Sequence, residues 1–241
     1  MAELTKLAFQ FLEDLYANNR KEWFDDNRVR YEQHVREPMK TIAKELSGPV
    51  SLILPDFEGK PKLSRINNDI RFSPNKPLYK EHVWISFTKP SENFSADLFV
   101  AISRRGWSAG AGIGSPKRDQ LEYWRENLIR HNELWTRYAN TIGIGDSVGV
   151  FAENPYRRPL YESIPQNVYE LVQARSTWIV STPELTIPED PARGFFNRMM
   201  LMLPAYLFMS VTPDELPDRL AETRERLDDS WTEIQQVWNL F

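Results

Sequence analysis

The 241-residue chain contains no cysteine. That absence removes disulfides, thiolate metal sites and cysteine nucleophiles together, and it fits a reducing compartment such as the cytoplasm. Histidine is almost as scarce. His34, His82 and His131 lie far apart with no metal-ligand spacing, so neither a metal site nor a cofactor is expected. Ser64, Ser73 and Ser86 have no histidine-bearing motif beside them, which leaves a serine triad without support. Long apolar runs are missing too. The most apolar stretch, Met199 to Val211, is too short to span a bilayer and holds Pro204, so no membrane role is expected. The opening MAELTKLAFQFLEDLYANN mixes acidic residues into its apolar pattern and reads as an amphipathic helix, not a secretory leader.

What is present describes a globular protein. Hydrophobic residues make up 41% and aromatics 12%, enough to bury one good core. No repeat, low-complexity linker or composition break divides the chain, so residues 1–241 are read as a single α+β domain. The net charge of −4 is unevenly spread: Lys60 to Lys80 holds six Lys/Arg and one Asp, whereas Pro213 to Phe241 holds eight Asp/Glu and three Arg. A basic patch can attract an anion despite an acidic total, or the two ends can attract each other in the fold.

Helical spacing of Leu4, Leu7, Ala8, Phe11, Leu12 and Leu15 places the first helix, ending near Asn18. Asn19 with Glu22 three residues on makes a capping-box pattern for a second helix, which Pro38 is expected to kink or split. The middle third turns to strands. HVWISFT (82–88) and FSADLFVAIS (94–103) are joined by KPSEN as a hairpin, and RRGWSAGAGIG continues the meander. Gly110, Gly112 and Gly114 share one strand face, where they admit another side chain or backbone. A phosphate loop at GAGIG is disfavoured because the Walker lysine and dinucleotide spacing are absent. Ser115 and Pro116 suit a helix start, and Gly143 suits the end of the helix after that. Short strands follow at VGVF (148–151) and TWIV (177–180), with a short helix between them. A helix over about 192–209 comes next, and a C-terminal helix over 214–240 packs on the domain through Leu216, Leu220, Leu227, Trp231, Ile234 and Trp238. The class is α+β: a mainly antiparallel central sheet, with strands within about 63–112, 147–151 and 177–180, flanked by N- and C-terminal helices.

The chemistry concentrates in RINNDIRFSPNKPLYK (65–80). In a strand, Arg65, Asn67, Asp69 and Arg71 share one face, and Ile66, Asn68, Ile70 and Phe72 share the other. Guanidinium forks match carboxylate or phosphate, so two of them can orient an anion, with Asp69 pairing with both. Lys76, Tyr79 and Lys80 complete a rim beyond Pro74. The structural alternative is a charged ladder on an exposed sheet face.

FLEDLYANNRKEWFDDNRVRYEQHVREPM followed by RINNDIRFSPNKPLYK resembles the family called domain of unknown function 2461. Its members show a FLxxLxxNNxReWF-like opening and then RInrDiRFSxDKxPYK. The likeness runs from Leu7 to roughly Pro204, with Asn68 where arginine is common and Asn75 where aspartate is common. The resemblance implies a cytoplasmic α+β protein and supplies no mechanism. The expectation from the residues is a binding protein for an anionic small molecule, a phosphorylated group or a nucleic-acid end. A second reading is a metal-independent hydrolase or transferase acting on a phosphorylated substrate. There Asp69 serves as general acid or base, and Arg65, Arg71 and Lys80 stabilise developing negative charge. A third is an interaction scaffold using the same charges.

Overall fold

The structure, a computed structural model, describes residues 3–55, 57, 61–71, 75–88, 96–114, 118–227 and 235–240. Helix α1 (Lys6–Ala17) opens with the Thr5 hydroxyl accepting from the Leu7 N–H at 3.4 Å, and it buries Ala8, Phe11, Leu12 and Leu15. Three helical pieces follow: α2 (Lys21–Asp26), α3 (Arg28–Tyr31) and, after a π turn over Glu32–Arg36, α4 (Glu37–Ile53). The expected capping box does not form. Arg20 stands at the N-cap of α2 without a side-chain bond, because the Asn19 amide is committed 60 residues away. Pro38 is the second residue of α4, but Arg36 and Glu37 before it are already helical, so its missing N–H falls inside a continuous helical run, just after the π turn. The irregularity falls one turn earlier, in the π segment.

The sheet is built from β1 (Lys62–Leu63), β2 (His82–Phe87), β3 (Ala96–Ser103) and β4 (Gly106–Ile113). Helices α5 (Arg118–Arg130) and α6 (Asn132–Ile142) precede β5 (Val148–Glu153). A 3-10 turn over Gln166–Val168 leads into α7 (Tyr169–Gln173) and then β6 (Ser176–Ser181). All pairings are antiparallel, in the order β1-β2-β3-β4-β6-β5, so β6 inserts between β4 and β5. Helices α8 (Pro191–Ser210), α9 (Leu216–Arg226) and α10 (Gln235–Trp238) close the chain. This is the expected α+β architecture. The KPSEN link and the Ser115–Pro116 helix start lie outside the described residues, as do Trp231 and Ile234 of the expected C-terminal stripe. That stripe is not one continuous helix: α9 ends at Arg226, and Leu227 leaves it with ψ of 95°.

Alternation along the strands sorts the two faces. Val83, Ile85 and Phe87 of β2, Leu98, Val100 and Ile102 of β3, and Trp107, Ala109, Ala111 and Ile113 of β4 are buried. Against this face lie α8 across β3 and β4, α1 on β3, and α4 on β1 and β2. Trp107 stacks on Phe195 of α8 at 4.6 Å. The opposite face carries Trp84, Phe99 and Trp178. Phe99 pairs directly with Gly110, and Trp178 with Gly112. A methyl group at Gly112 would run into the Trp178 ring, so this glycine is there for close approach.

From Met199 to Met209 helix α8 is apolar all round, and it packs across β3 and β4. Pro204 inside it has no N–H for the Met200 carbonyl, and the Trp238 indole Nε1 donates to that oxygen instead, at 3.2 Å. The C-terminal segment is thereby tied to the core. No helix among the described residues is long and apolar enough to cross a membrane.

Candidate functional site

Residues 64–68 and 78–84 form a two-stranded ribbon that prolongs the β1–β2 edge of the sheet. Its rungs are Ser64 N–H to the Trp84 carbonyl at 2.8 Å, Lys80 N–H to the Ile66 carbonyl at 2.8 Å, and Asn68 N–H to the Leu78 carbonyl at 2.9 Å. Asn67 and Tyr79 face each other between the last two rungs. That register turns the backbone of Tyr79 outward, and a side chain completes it. Tyr79 N–H donates to Asn19 Oδ1 at 2.9 Å, and Asn19 Nδ2 donates to the Tyr79 carbonyl at 2.8 Å. The amide of Asn19 thus takes the place of a third strand. The Tyr79 ring stacks on Phe24 at 4.3 Å, and its burial raises the phenol pKa. Tyr79 therefore anchors the ribbon and is not part of a solvent-facing rim.

The expected alternation holds only part-way. Arg65 is exposed, Ile66 buried and Asn67 exposed, but Ile70 on the expected core face is 39% exposed. Phe72 lies outside the described residues. The cause is Asp69. Its Oδ1 accepts from the Arg71 backbone N–H at 3.1 Å, a local turn that competes with further strand pairing. The same carboxylate takes the Arg71 guanidinium in a fork, Nε at 2.9 Å and Nη2 at 2.6 Å. These bonds, followed by the charge of Lys76, hold the Asp69 carboxyl below the usual range. Asp69 was expected to pair with both arginines; among the described residues it pairs with Arg71 and not with Arg65.

The remaining cations form a second group. Lys80 Nζ donates to the Arg65 carbonyl at 2.6 Å and lies 4.8 Å from the centre of the Trp84 ring. Burial, then the positive charges of Lys76 and Arg65, push the Lys80 pKa down. His82 packs on the same indole at 5.2 Å. Neither Arg65, Lys76 nor Lys80 has a carboxylate partner among the described residues. Sequence reasoning missed Trp84, His82 and Asn19. The first two were read only as strand residues, and nothing local in the sequence links Asn19 to Tyr79.

Two clefts elsewhere differ in electrostatics. One of about 550 Å³ between α6, β6 and α8 is lined by Ser147, Ser181, Thr182 and an Arg198–Glu184 ion pair. Another of about 420 Å³ beside α9 holds Arg219 paired with Glu222 at 3.2 Å. Their cations are already paired with carboxylates of the fold; Arg65, Lys76 and Lys80 make no ion pair among the described residues. No group of three His, Cys, Asp or Glu able to hold a metal is found among the described residues.

The sequence model of the family described as conserved hypothetical protein (DUF2461) matches residues 7–187. The chain belongs to this family. The matched stretch holds the ribbon, its Asn19 clamp and the whole sheet, while helix α8 lies beyond it. No curated protein and no solved structure matches the chain.

Proposed function

We propose that the ribbon binds a small anionic ligand bearing a carboxylate or phosphate group. Arg65, Lys76 and Lys80 supply the charge, Asn67 a neutral hydrogen-bonding group, and the Asp69–Arg71 fork the outer edge. The observation that carries this reading is that Arg65, Lys76 and Lys80 lie close enough to act on one another and make no ion pair among the described residues, although Asp69, forked by Arg71, also feels the charge of Lys76. Gathering like charges raises the free energy of the unliganded protein, and an anion relieves it. The ribbon is open to solvent at Arg65 and Lys76 and is braced from behind by Phe24 and Asn19. It is therefore accessible and already ordered, which limits the entropy lost on binding. A general-acid role for Asp69 gains nothing from its titration, which Arg71 drives toward the ionised form. A cytoplasmic setting belongs to the same proposal, supported by the lack of cysteine.

A thermal-shift panel of phosphate, citrate, a nucleotide, a sugar phosphate and a short oligonucleotide tests this. At about a hundred times its dissociation constant, a matching anion stabilises by roughly 2.7 kcal/mol, and Arg65→Gln abolishes the response. A flat response to every anion would contradict the proposal.

A further inference from the structure

The two edges of the sheet are finished differently. At the β1 edge the Asn19 amide takes up the outward backbone of Tyr79. At the β5 edge no such cover is found among the described residues. We propose that β5 pairs with β5 of a second copy of this chain, antiparallel about a two-fold axis at Phe151, so that two six-stranded sheets become one.

The backbone identifies the free groups. Thr182 N–H donates to the Ser147 carbonyl at 2.8 Å, and Arg175 N–H donates to the Glu153 carbonyl at 3.0 Å. With the antiparallel register, Gly149, Phe151 and Glu153 therefore turn their backbone groups toward β6, and Val148, Val150 and Ala152 turn theirs outward. The preceding turn uses those of Val148: its N–H donates to the Gly143 carbonyl at 3.1 Å, and its carbonyl accepts from Gly145 N–H at 2.9 Å. Those of Val150 and Ala152 have no partner among the described residues. Solvent-facing edges are ordinarily blunted by lysine, proline or a bulge, and VGVFAE in its regular register carries none of them. Instead it presents Phe151, 55% exposed.

Register and charge both make a second copy the occupant. When Phe151 faces its own counterpart, Val150 of each copy exchanges both hydrogen bonds with Ala152 of the other, and every outward group of the strand is satisfied. Glu153 then lies across from Gly149, so like charges do not face each other and the glycine leaves room. The two Phe151 rings meet on the sheet face that carries Trp178, the cross-strand neighbour of Phe151. Beyond the strand, Asp146 in the turn before β5 and Arg157 and Arg158 in the loop after it are exposed and make no ion pair among the described residues. Antiparallel pairing carries the end of β5 in one copy to its start in the other. It sets the two arginines toward the aspartate of the opposite copy on both sides of the axis, as a self-complementary contact requires.

The lack of cysteine makes the register directly testable. Across the axis Phe151 and its counterpart form a non-hydrogen-bonded pair with Cα atoms about 4.5 Å apart, within the span of a disulfide. Glu153 and its counterpart stand roughly 13 Å apart along the strands, out of reach. On mild oxidation of the full chain, Phe151→Cys should form a covalent dimer at least about tenfold faster than Glu153→Cys. Light scattering of the natural protein should give twice the 28.3 kDa of one chain. Phe151→Lys sets like charges face to face and should be monomeric with an unchanged far-UV circular dichroism spectrum. Mixing it with Phe151→Glu should restore the dimer. A natural protein of single-chain mass would overturn the proposal. So would a dimer that survives Phe151→Lys, or cross-linking of Glu153→Cys as fast as that of Phe151→Cys.

Discussion

Asp97 and Lys80 are displaced in opposite directions on the pH scale but toward the same end, the neutral form, and burial is the leading cause for each. Asp97 accepts from the Thr88 hydroxyl at 2.7 Å and feels the charge of Lys62, yet burial outweighs both and raises its pKa. The folded state therefore binds this proton more readily than the unfolded chain does. Stability falls as pH rises from the unfolded value through the raised folded value, and the penalty is complete above both. Asp97→Asn should accordingly raise the melting temperature at pH 7, and the gain should vanish in a melting series carried below the unfolded pKa. Unchanged stability at pH 7 would mean that the carboxylate is solvated. The residue-level content of the ribbon was partly legible in the sequence. The cations and their approximate neighbourhood followed from RINNDIRFSPNKPLYK. The division into an Asp69–Arg71 fork and an Arg65–Lys76–Lys80 group did not, because it depends on a turn that Asp69 makes with its own backbone.

Among the elements, the ribbon owes its place to contacts distant in sequence. Asn19 carries two hydrogen bonds to the backbone of Tyr79, and Phe24 carries the ring contact. Asn19→Ala leaves a partly buried N–H and carbonyl without those partners and should cost about 1–3 kcal/mol in denaturant unfolding. It should also weaken anion stabilisation although Asn19 touches none of the cations. A variant with full stability and full anion response would show that the clamp is dispensable. The local pattern of Asn19 and Glu22 matches a helix cap, and that signal lost to a tertiary partner. The strands, by contrast, were readable from alternation and β-branched content. So was the use of the β4 glycines, which make room for the rings of Phe99 and Trp178.

Across the whole molecule, helix α8 joins both ends of the chain. Pro204 leaves the Met200 carbonyl without its helical donor, and Trp238 supplies one from the last helix. Trp238→Phe should therefore cost more in the natural background than in Pro204→Ala, where the N–H of the introduced alanine restores the backbone bond. A double-mutant cycle should give a coupling of about 1 kcal/mol, the worth of one hydrogen bond, and additive losses would refute the link. The basic ribbon and the acidic C-terminal segment (213–241) do not neutralise each other in ion pairs among the described residues. The Arg226 side chain meets the Ile53 carbonyl and Glu222, and Arg130 meets Asp214. On the proposed reading, the ribbon's charge awaits an anionic ligand. Calorimetric titration of inorganic phosphate at fixed ionic strength, into the natural protein and into Arg65→Gln/Lys76→Gln, tests that most directly. The account predicts saturable binding to the natural protein that falls at least tenfold in the variant. Equal binding to both, or none to either, would contradict it.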